Sequence, residues 1–367
     1  MDFETELGVL KAEIEERISE FLHFTGENPV LEAFHDDITA YMLAGGKRLR
    51  PICMIQTYSG FTQKDERIVT ASLSSEFLHA GSLVLDDAMD EDIIRHGKRT
   101  LNAMYADKIF KTMGFSFEKY ARGESWIEKG GLFDLLHVQR SLSRYSYAIS
   151  SLASNLLFSL SVKCLKESGF DSTIILKALH LHMDMYRQLN EGQLLDVLME
   201  KQETTEEDYL SMIDKKTGLL FAYPIKIAAV LAGHDEPLLD NYSFPMTRGF
   251  QIHDDILGTF GGKETGKPTD SDIKKGKRTL LVIKAMEMAN EDQKDILNAT
   301  LGRAEATPEE IESVRAIFKE TGALDYCLEK ERFFSEQAKA ALQSIPLHER
   351  QKIFLRELAD FVIERMY

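Results

Sequence analysis

The apolar residues of this chain recur with the period of an α-helical turn almost from end to end, and that excludes most folds. Leu7, Leu10, Ile14, Ile18, Phe21 and Leu22 share one face of residues 4–22. The same spacing returns over 30–44, 50–60, 67–95, 142–167, 172–200, 206–232, 244–260, 277–290, 308–319, 323–343 and 347–366. No segment sustains the alternation of a strand. Proline, which interrupts helices, occurs only 8 times in 367 residues. The expected class is all-α, a single large bundle of roughly a dozen helices. No Ser/Gly/Pro-rich linker divides the chain, so residues 1–367 read as one domain. Two stretches are less regular, 97–141 and the Gly-rich 258–276.

The formal net charge is −16, which argues against nucleic acid as a partner. Cys53, Cys164 and Cys327 are far apart and form no CxxC, so buried thiols in the cytoplasm are expected rather than disulfides. The N-terminus is acidic and amphipathic, unlike a signal peptide. No run reaches about 18 apolar residues without charge, so no membrane anchor is expected.

Against that background two acidic motifs stand out. In Ser82-Leu83-Val84-Leu85-Asp86-Asp87-Ala88-Met89-Asp90, helical spacing stacks Asp86 over Asp90 and offsets Asp87. Stacked carboxylates repel unless cations sit between them. Hard oxygen ligands at this spacing suit magnesium, which bridges readily to phosphates. Phe250-Gln251-Ile252-His253-Asp254-Asp255-Ile256-Leu257-Gly258 repeats the pattern, an apolar approach followed by paired Asp. A solvated acidic face is the plain alternative for either motif alone; two in matched contexts favour a diphosphate clamped between metals.

Basic residues accompany the acid. Gly45-Gly46-Lys47-Arg48-Leu49-Arg50-Pro51 offers three cations in a Gly-led turn that backbone and phosphate can approach closely. Arg95, His96, Lys98 and Arg99 follow the first acidic motif, and Lys267, Lys274, Lys275, Lys277 and Arg278 follow the second. Lys215, Lys216 and Thr217 open a further apolar helix.

In this order the motifs resemble those of the trans-type polyprenyl diphosphate synthases, such as geranylgeranyl diphosphate synthases. GGKRLRP, EFLHAGSLVLDDAMDEDIIRHG, EGQLLD, KTG, FQIHDDILGTFG and TGKPTDSDIKKGKRT succeed one another as in that family. The resemblance implies the isoprenoid synthase fold, a bundle around a central cavity, and a homodimer. It implies a prenyltransferase of isoprenoid biosynthesis that joins an allylic diphosphate to isopentenyl diphosphate, with three magnesium ions per site. Asp86, Asp90 and Asp254 would ligate metal, supported by Asp87 and Asp255. Arg95, Lys216 and Lys267 would grip the allylic diphosphate. Gly46, Lys47, Arg50, His79 and His96 would bind isopentenyl diphosphate. Gln193 and Asp196 would support the first motif, and Thr217, Gln251 and Lys277 would line the reacting centre.

Four departures matter. Gly258 stands where the second motif usually ends in Asp, and Arg99 where proline is common. Residues 104–140 are longer than the usual connection and read as an insertion. His96 replaces a second arginine. A histidine is charged only below about pH 6.5, so the KM for isopentenyl diphosphate is expected to climb as pH rises through that range. A flat KM–pH profile would count against it.

Product length in the family follows the residues beneath the first motif. Here they are Ser82 and Gly81, small where short-chain members carry an aromatic, with Leu78 the next floor down. A twenty-carbon product or longer is expected, and Gly81→Phe should shorten it. Three other readings stay open: a longer-chain synthase, a non-catalytic subunit, and a terpene cyclase, which would lack the GGKRLRP turn.

Overall fold

Helix follows helix, as the periodicity predicts. The computed structural model describes residues 2–22, 24, 28–90, 92–95, 97–112, 132–200, 202–261 and 269–364. The first half comprises α1 (Phe3–Phe21), α2 (Pro29–Met42), α3 (Leu49–Phe61), α4 (Glu66–Met89), a two-stranded hairpin β1 (Ile94–Arg95) and β2 (Lys98–Arg99), α5 (Leu101–Thr112), α6 (Leu132–Lys166) and α7 (Ser172–Met199). The second half comprises α8 (Glu206–Ile213), a wide π-turn (Asp214–Gly218), α9 (Leu219–Leu231), α10 (Asp240–Phe260), α11 (Ser271–Lys275), α12 (Leu280–Met288), α13 (Glu291–Thr300), α14 (Pro308–Glu320), α15 (Ala323–Ala341) and α16 (Glu349–Glu364).

Several elements differ from the sequence reading, among them the short α11 inside the Gly-rich 258–276 stretch read as a loop. The helix expected over 67–95 stops at Met89, and an antiparallel hairpin pairs Arg95 with Lys98. The helix expected over 206–232 is broken by the π-turn. Helix α13 lies where none was expected; with few apolar residues it carries little periodic signal. Helix α5 and the start of α6 occupy part of the stretch read as irregular. Local chemistry explains many starts and stops. Asp65 accepts the backbone N–H of Arg67 and Ile68 to begin α4. Thr205 and Asp208 form a capping box on α8. Gly276, at φ 73°, ends α11.

The core is organised by α9, in which every residue except Lys226 and Val230 is buried. A helix apolar all round belongs at the centre of a bundle. It packs against α3 and α7, and also touches α4 and α10. The helices of the two acidic motifs each have a long backing partner: α6 lies along α4, and α15 along α10. Among the described residues two helices, Glu66–Met89 and the Arg144–Lys166 part of α6, are long and apolar enough to cross a membrane. The two pack along each other, and the first is the more buried.

Candidate active site

A single cavity of about 1070 Å³ collects both acidic motifs and the Gly-led turn. At one end stands the C-terminal turn of α4. A helix C-terminus already carries negative partial charge, so three aspartates there are electrostatically misplaced unless cations answer them. Cations do. Lys216 Nζ lies 3.0 Å from Asp86 and 2.8 Å from Asp196. Lys277 Nζ lies 3.1 Å from Asp90, 2.8 Å from Asp196 and 2.9 Å from Glu200. Lys275 reaches Asp92 at 2.5 Å. Gln193 donates to Asp86 at 3.1 Å. Burial alone would raise the Asp86 carboxyl, but Lys216, Arg95 and Lys277 outweigh it and hold it below the usual carboxylate range. Burial likewise opposes the charge on Lys216, and Asp86 and Asp196 overcome it.

Asp87 differs from its neighbours. It is buried, and its Oδ1 accepts from Arg95 Nε at 2.7 Å. Burial raises its pKa despite Arg95. Its position suits it to orienting Arg95, whose guanidinium also lies 3.5 Å from Asp86.

At the second motif both Asp254 and Asp255 line the cavity, and Asp255 is buried. The Asp255 carboxyl accepts from Tyr209 Oη at 2.7 Å and from Gln251 Nε2 at 2.9 Å. Burial, with Asp272 adding to it, pushes its pKa up to about 8. Gln251 in turn accepts from Thr217 at 2.8 Å, which ties the second motif to the turn bearing Lys216. The glycine at 258 does not leave a void. A Cβ built there would lie 2.8 Å from Asp272 Oδ2. The Asp272 carboxylate, from α11, therefore occupies the space that a side chain at the motif's last position would fill. Asp272 lines the same cavity, and sequence reasoning passed over it because its closeness to Gly258 is tertiary.

The Gly-led turn closes another part of the cavity. Gly45 and Gly46 take φ of 136° and 116°, which side-chain-bearing residues avoid. Of the three cations there, Arg48 points inward. It pairs with Glu76 at 2.6 Å and Glu15 at 3.3 Å and donates to the Met42 carbonyl at 2.6 Å. Arg48 thus pins the turn to α1, α2 and α4, and it lines the cavity together with Gly46, Lys47, Arg50 and His79. Lys47 sits over the Phe361 ring at 5.2 Å and Arg50 over Phe221 at 4.7 Å. His96 and Lys267 lie outside the described residues.

Beneath Asp86 the α4 face presents Ser82 and then Leu78, about 12 Å down by helical rise. Leu78 is buried among Met185, Leu189, Leu219 and Leu220. Gly81 also borders the cavity, but a Cβ there would lie 3.2 Å from the Ser154 carbonyl of α6. Its smallness therefore serves the α4–α6 approach as well as the cavity wall. The aromatic residues at this depth come from other helices. Phe158 of α6 and Tyr186 of α7 stack with centroids 3.9 Å apart, and both line the cavity.

A family model described as polyprenyl synthetase matches residues 32–121 and 137–318. The chain belongs to the polyprenyl synthetase family. It is 32% identical over 330 residues to a geranylgeranyl pyrophosphate synthase of Geoglobus acetivorans, covering 89% of this chain and 88% of that one. It is 30% identical over 331 residues to a geranylfarnesyl diphosphate synthase of Aeropyrum pernix, covering 88% and 91%. The fold matches a geranylgeranyl pyrophosphate synthase of Corynebacterium glutamicum, solved with isoprenyl diphosphate and magnesium, with a TM-score of 0.84 at 24% identity and all of both chains covered. The family match skips 122–136, inside the stretch read as an insertion over 104–140; residues 113–131 are outside those described.

The donor chemistry fits the divalent metal of such enzymes. Among the described residues no three His, Cys, Asp or Glu side chains form a metal cage of their own. Magnesium asks for none: one or two carboxylates, waters and substrate phosphates suffice.

Proposed function

We propose that this chain joins isopentenyl diphosphate to an allylic diphosphate, releases diphosphate, and makes geranylgeranyl diphosphate. The observation that carries this reading is one cavity shared by Asp86, Asp90 and Asp254, by Lys216 and Lys277, and by Lys47, Arg50 and His79. Two sets of cations suit two diphosphates. Asp86, Asp90 and Asp254 would hold magnesium, three ions per site, which supplies the Lewis acidity that stabilises a leaving diphosphate. Lys216 and Lys277 now rest on carboxylates and would turn to the allylic diphosphate, with Arg95 and Lys267. Lys47, Arg50 and His79 would seat isopentenyl diphosphate so that its double bond faces the allylic carbon. The allylic carbon–oxygen bond would break with its electron pair leaving on diphosphate, the double bond of isopentenyl diphosphate would attack the resulting allylic cation, and the departing diphosphate would take the proton that is lost. Leu189, Leu220 and Phe158 keep water from the cation.

The test is direct. Purified protein, magnesium, isopentenyl diphosphate and primers of increasing length should give all-trans products, resolved by chromatography. No turnover with any primer would end the proposal, and a cyclic product from one diphosphate alone would favour a cyclase.

Product length supports geranylgeranyl diphosphate because the hole runs past Ser82 to the Phe158–Tyr186 stack. Phe158→Ala should shift products to longer chains, and Ser82→Phe to shorter ones. An unchanged distribution in both variants would remove the stack and Ser82 as the floor and wall. The similarity to a geranylfarnesyl synthase makes a product one unit longer the second reading. A homodimer completes the proposal. Exposed Tyr145 and Leu152 on α6, with Leu176 and Met183 on α7, offer a second copy an apolar surface. Sedimentation of a monomer at micromolar concentration would refute that part.

A further inference from the structure

The π-turn Asp214–Gly218 sits between two helices. The Leu219 N–H reaches back five residues to the Asp214 carbonyl, the long register of a π-turn. On one side the turn presses on α7: a Cβ on Gly192 would lie 2.5 Å from the Lys216 nitrogen. On the other side it meets α10, where a Cβ on Gly218 would lie 3.1 Å from Phe244. Two rungs fasten it to α10. The upper rung is Thr217 Oγ1 donating to Gln251. The lower rung is a fork: Arg248 Nε and Nη2 donate to the two oxygens of Asp214 at 2.8 and 2.6 Å. Asp214 and Thr217 are three residues apart, as are Arg248 and Gln251, so the rungs run in parallel. From this turn the two lysines diverge. Lys215 goes outward to Glu191, and Lys216 inward to Asp86 and Asp196.

We infer that the Asp214–Arg248 fork is a positioning element for Lys216, holding the π-turn in the register that aims this lysine at the first acidic motif. Neither residue of the fork lines the main cavity, so it acts only through the turn. A π-turn is a poor local minimum, and nothing in Asp-Lys-Lys-Thr-Gly favours it over a continuous α-helix. A bidentate pair fixes direction as well as distance, which is what a strained register needs. The fork also gives the two acidic motifs a common frame. Arg248 lies on the helix of Asp254, and Lys216 touches Asp86. This inference rests on the proposed reading of Lys216 as an allylic-diphosphate ligand.

The test uses the full chain with magnesium. Binding of inorganic diphosphate is measured by calorimetry, and KM is measured for each substrate. Arg248→Ala is expected to lower kcat/KM for the allylic substrate by about 100-fold, the scale of an ångström-sized misplacement, while KM for isopentenyl diphosphate stays put. Diphosphate affinity should fall with it, and Arg248→Lys, which keeps charge without the fork, should recover only part. In a Lys216→Ala background the Arg248→Ala change should cost diphosphate affinity nothing further. Should Arg248→Ala not fold, Asp214→Asn carries the same comparisons. Equal losses for both substrates, or additive losses in the Lys216→Ala background, would overturn the inference. A wild-type chain without diphosphate affinity would overturn the reading of the site as well; a wild type that binds, with an Arg248→Ala variant that binds equally, would overturn the fork alone.

Discussion

Asp86→Ala should lower turnover on the order of 10³-fold and leave the folded structure in place. The carboxylate accepts from Lys216 and Gln193 and lies beside Arg95, so it sits where cationic partners converge. Removing it takes one of the proposed metal ligands from the first motif. It does not strand the cations, because Lys216 keeps Asp196 and Arg95 keeps Asp87. The fold should survive for that reason. Steady-state kinetics at saturating magnesium, with thermal unfolding alongside, would check both halves. Turnover within tenfold of wild type would show that Asp86 is not a metal ligand for the reaction. A collapse of the melting temperature would show instead that it is structural.

The second large effect is expected at a residue with no chemistry. Gly192 lies inside α7, where alanine ordinarily stabilises a helix by about 1 kcal/mol. Here a Cβ would come within 2.5 Å of the Lys216 nitrogen and 2.6 Å of the Lys215 carbonyl carbon. Those are backbone atoms and cannot rotate away, so α7 or the π-turn must shift. Overpacking of this kind typically costs about 1–3 kcal/mol, and the shift moves Lys216 off Asp86. Gly192→Ala should therefore lower the melting temperature and cut turnover strongly. Gly81→Ala provides the contrast. Its Cβ would lie 3.2 Å from the Ser154 carbonyl, a tight but lesser contact. A stabilised, fully active Gly192→Ala variant would show that the π-turn and α7 are not held in this close approach.

Much of the fold was readable from the chain because helix formation is local. The spacing of Leu7, Leu10, Ile14 and Ile18 predicts α1 with no knowledge of what α1 packs against, and those residues face the core. The same holds for the acidic motifs. Asp86 and Asp90 share a helix face by arithmetic alone. What arithmetic missed was local too when its signal was weak, as in the charge-rich α13.

At the cavity the sequence named most of the charged residues, and packing reassigned several. The Gly-led turn offers three cations in sequence, and packing spends one of them, Arg48, on Glu76 and Glu15. Gly258 looked like a reduced second motif, and Asp272 fills its space from α11. Gly81 reads in sequence as a small residue in the wall beneath the first motif; it borders the cavity and also lies against α6, a contact that sequence does not reveal.

The chain by itself determined the all-helical class, the pairing of acid with base and the family, because helical period, motif spacing and motif order lie along one dimension. Only the tertiary structure decided which helix faces meet. The Phe158–Tyr186 stack, the Asp272 carboxylate beside Gly258 and the contacts of the Lys216 turn with α7 and α10 each join residues far apart in the chain. Their positions follow from close packing between helices, and a helical period says which residues face inward without saying what they will face.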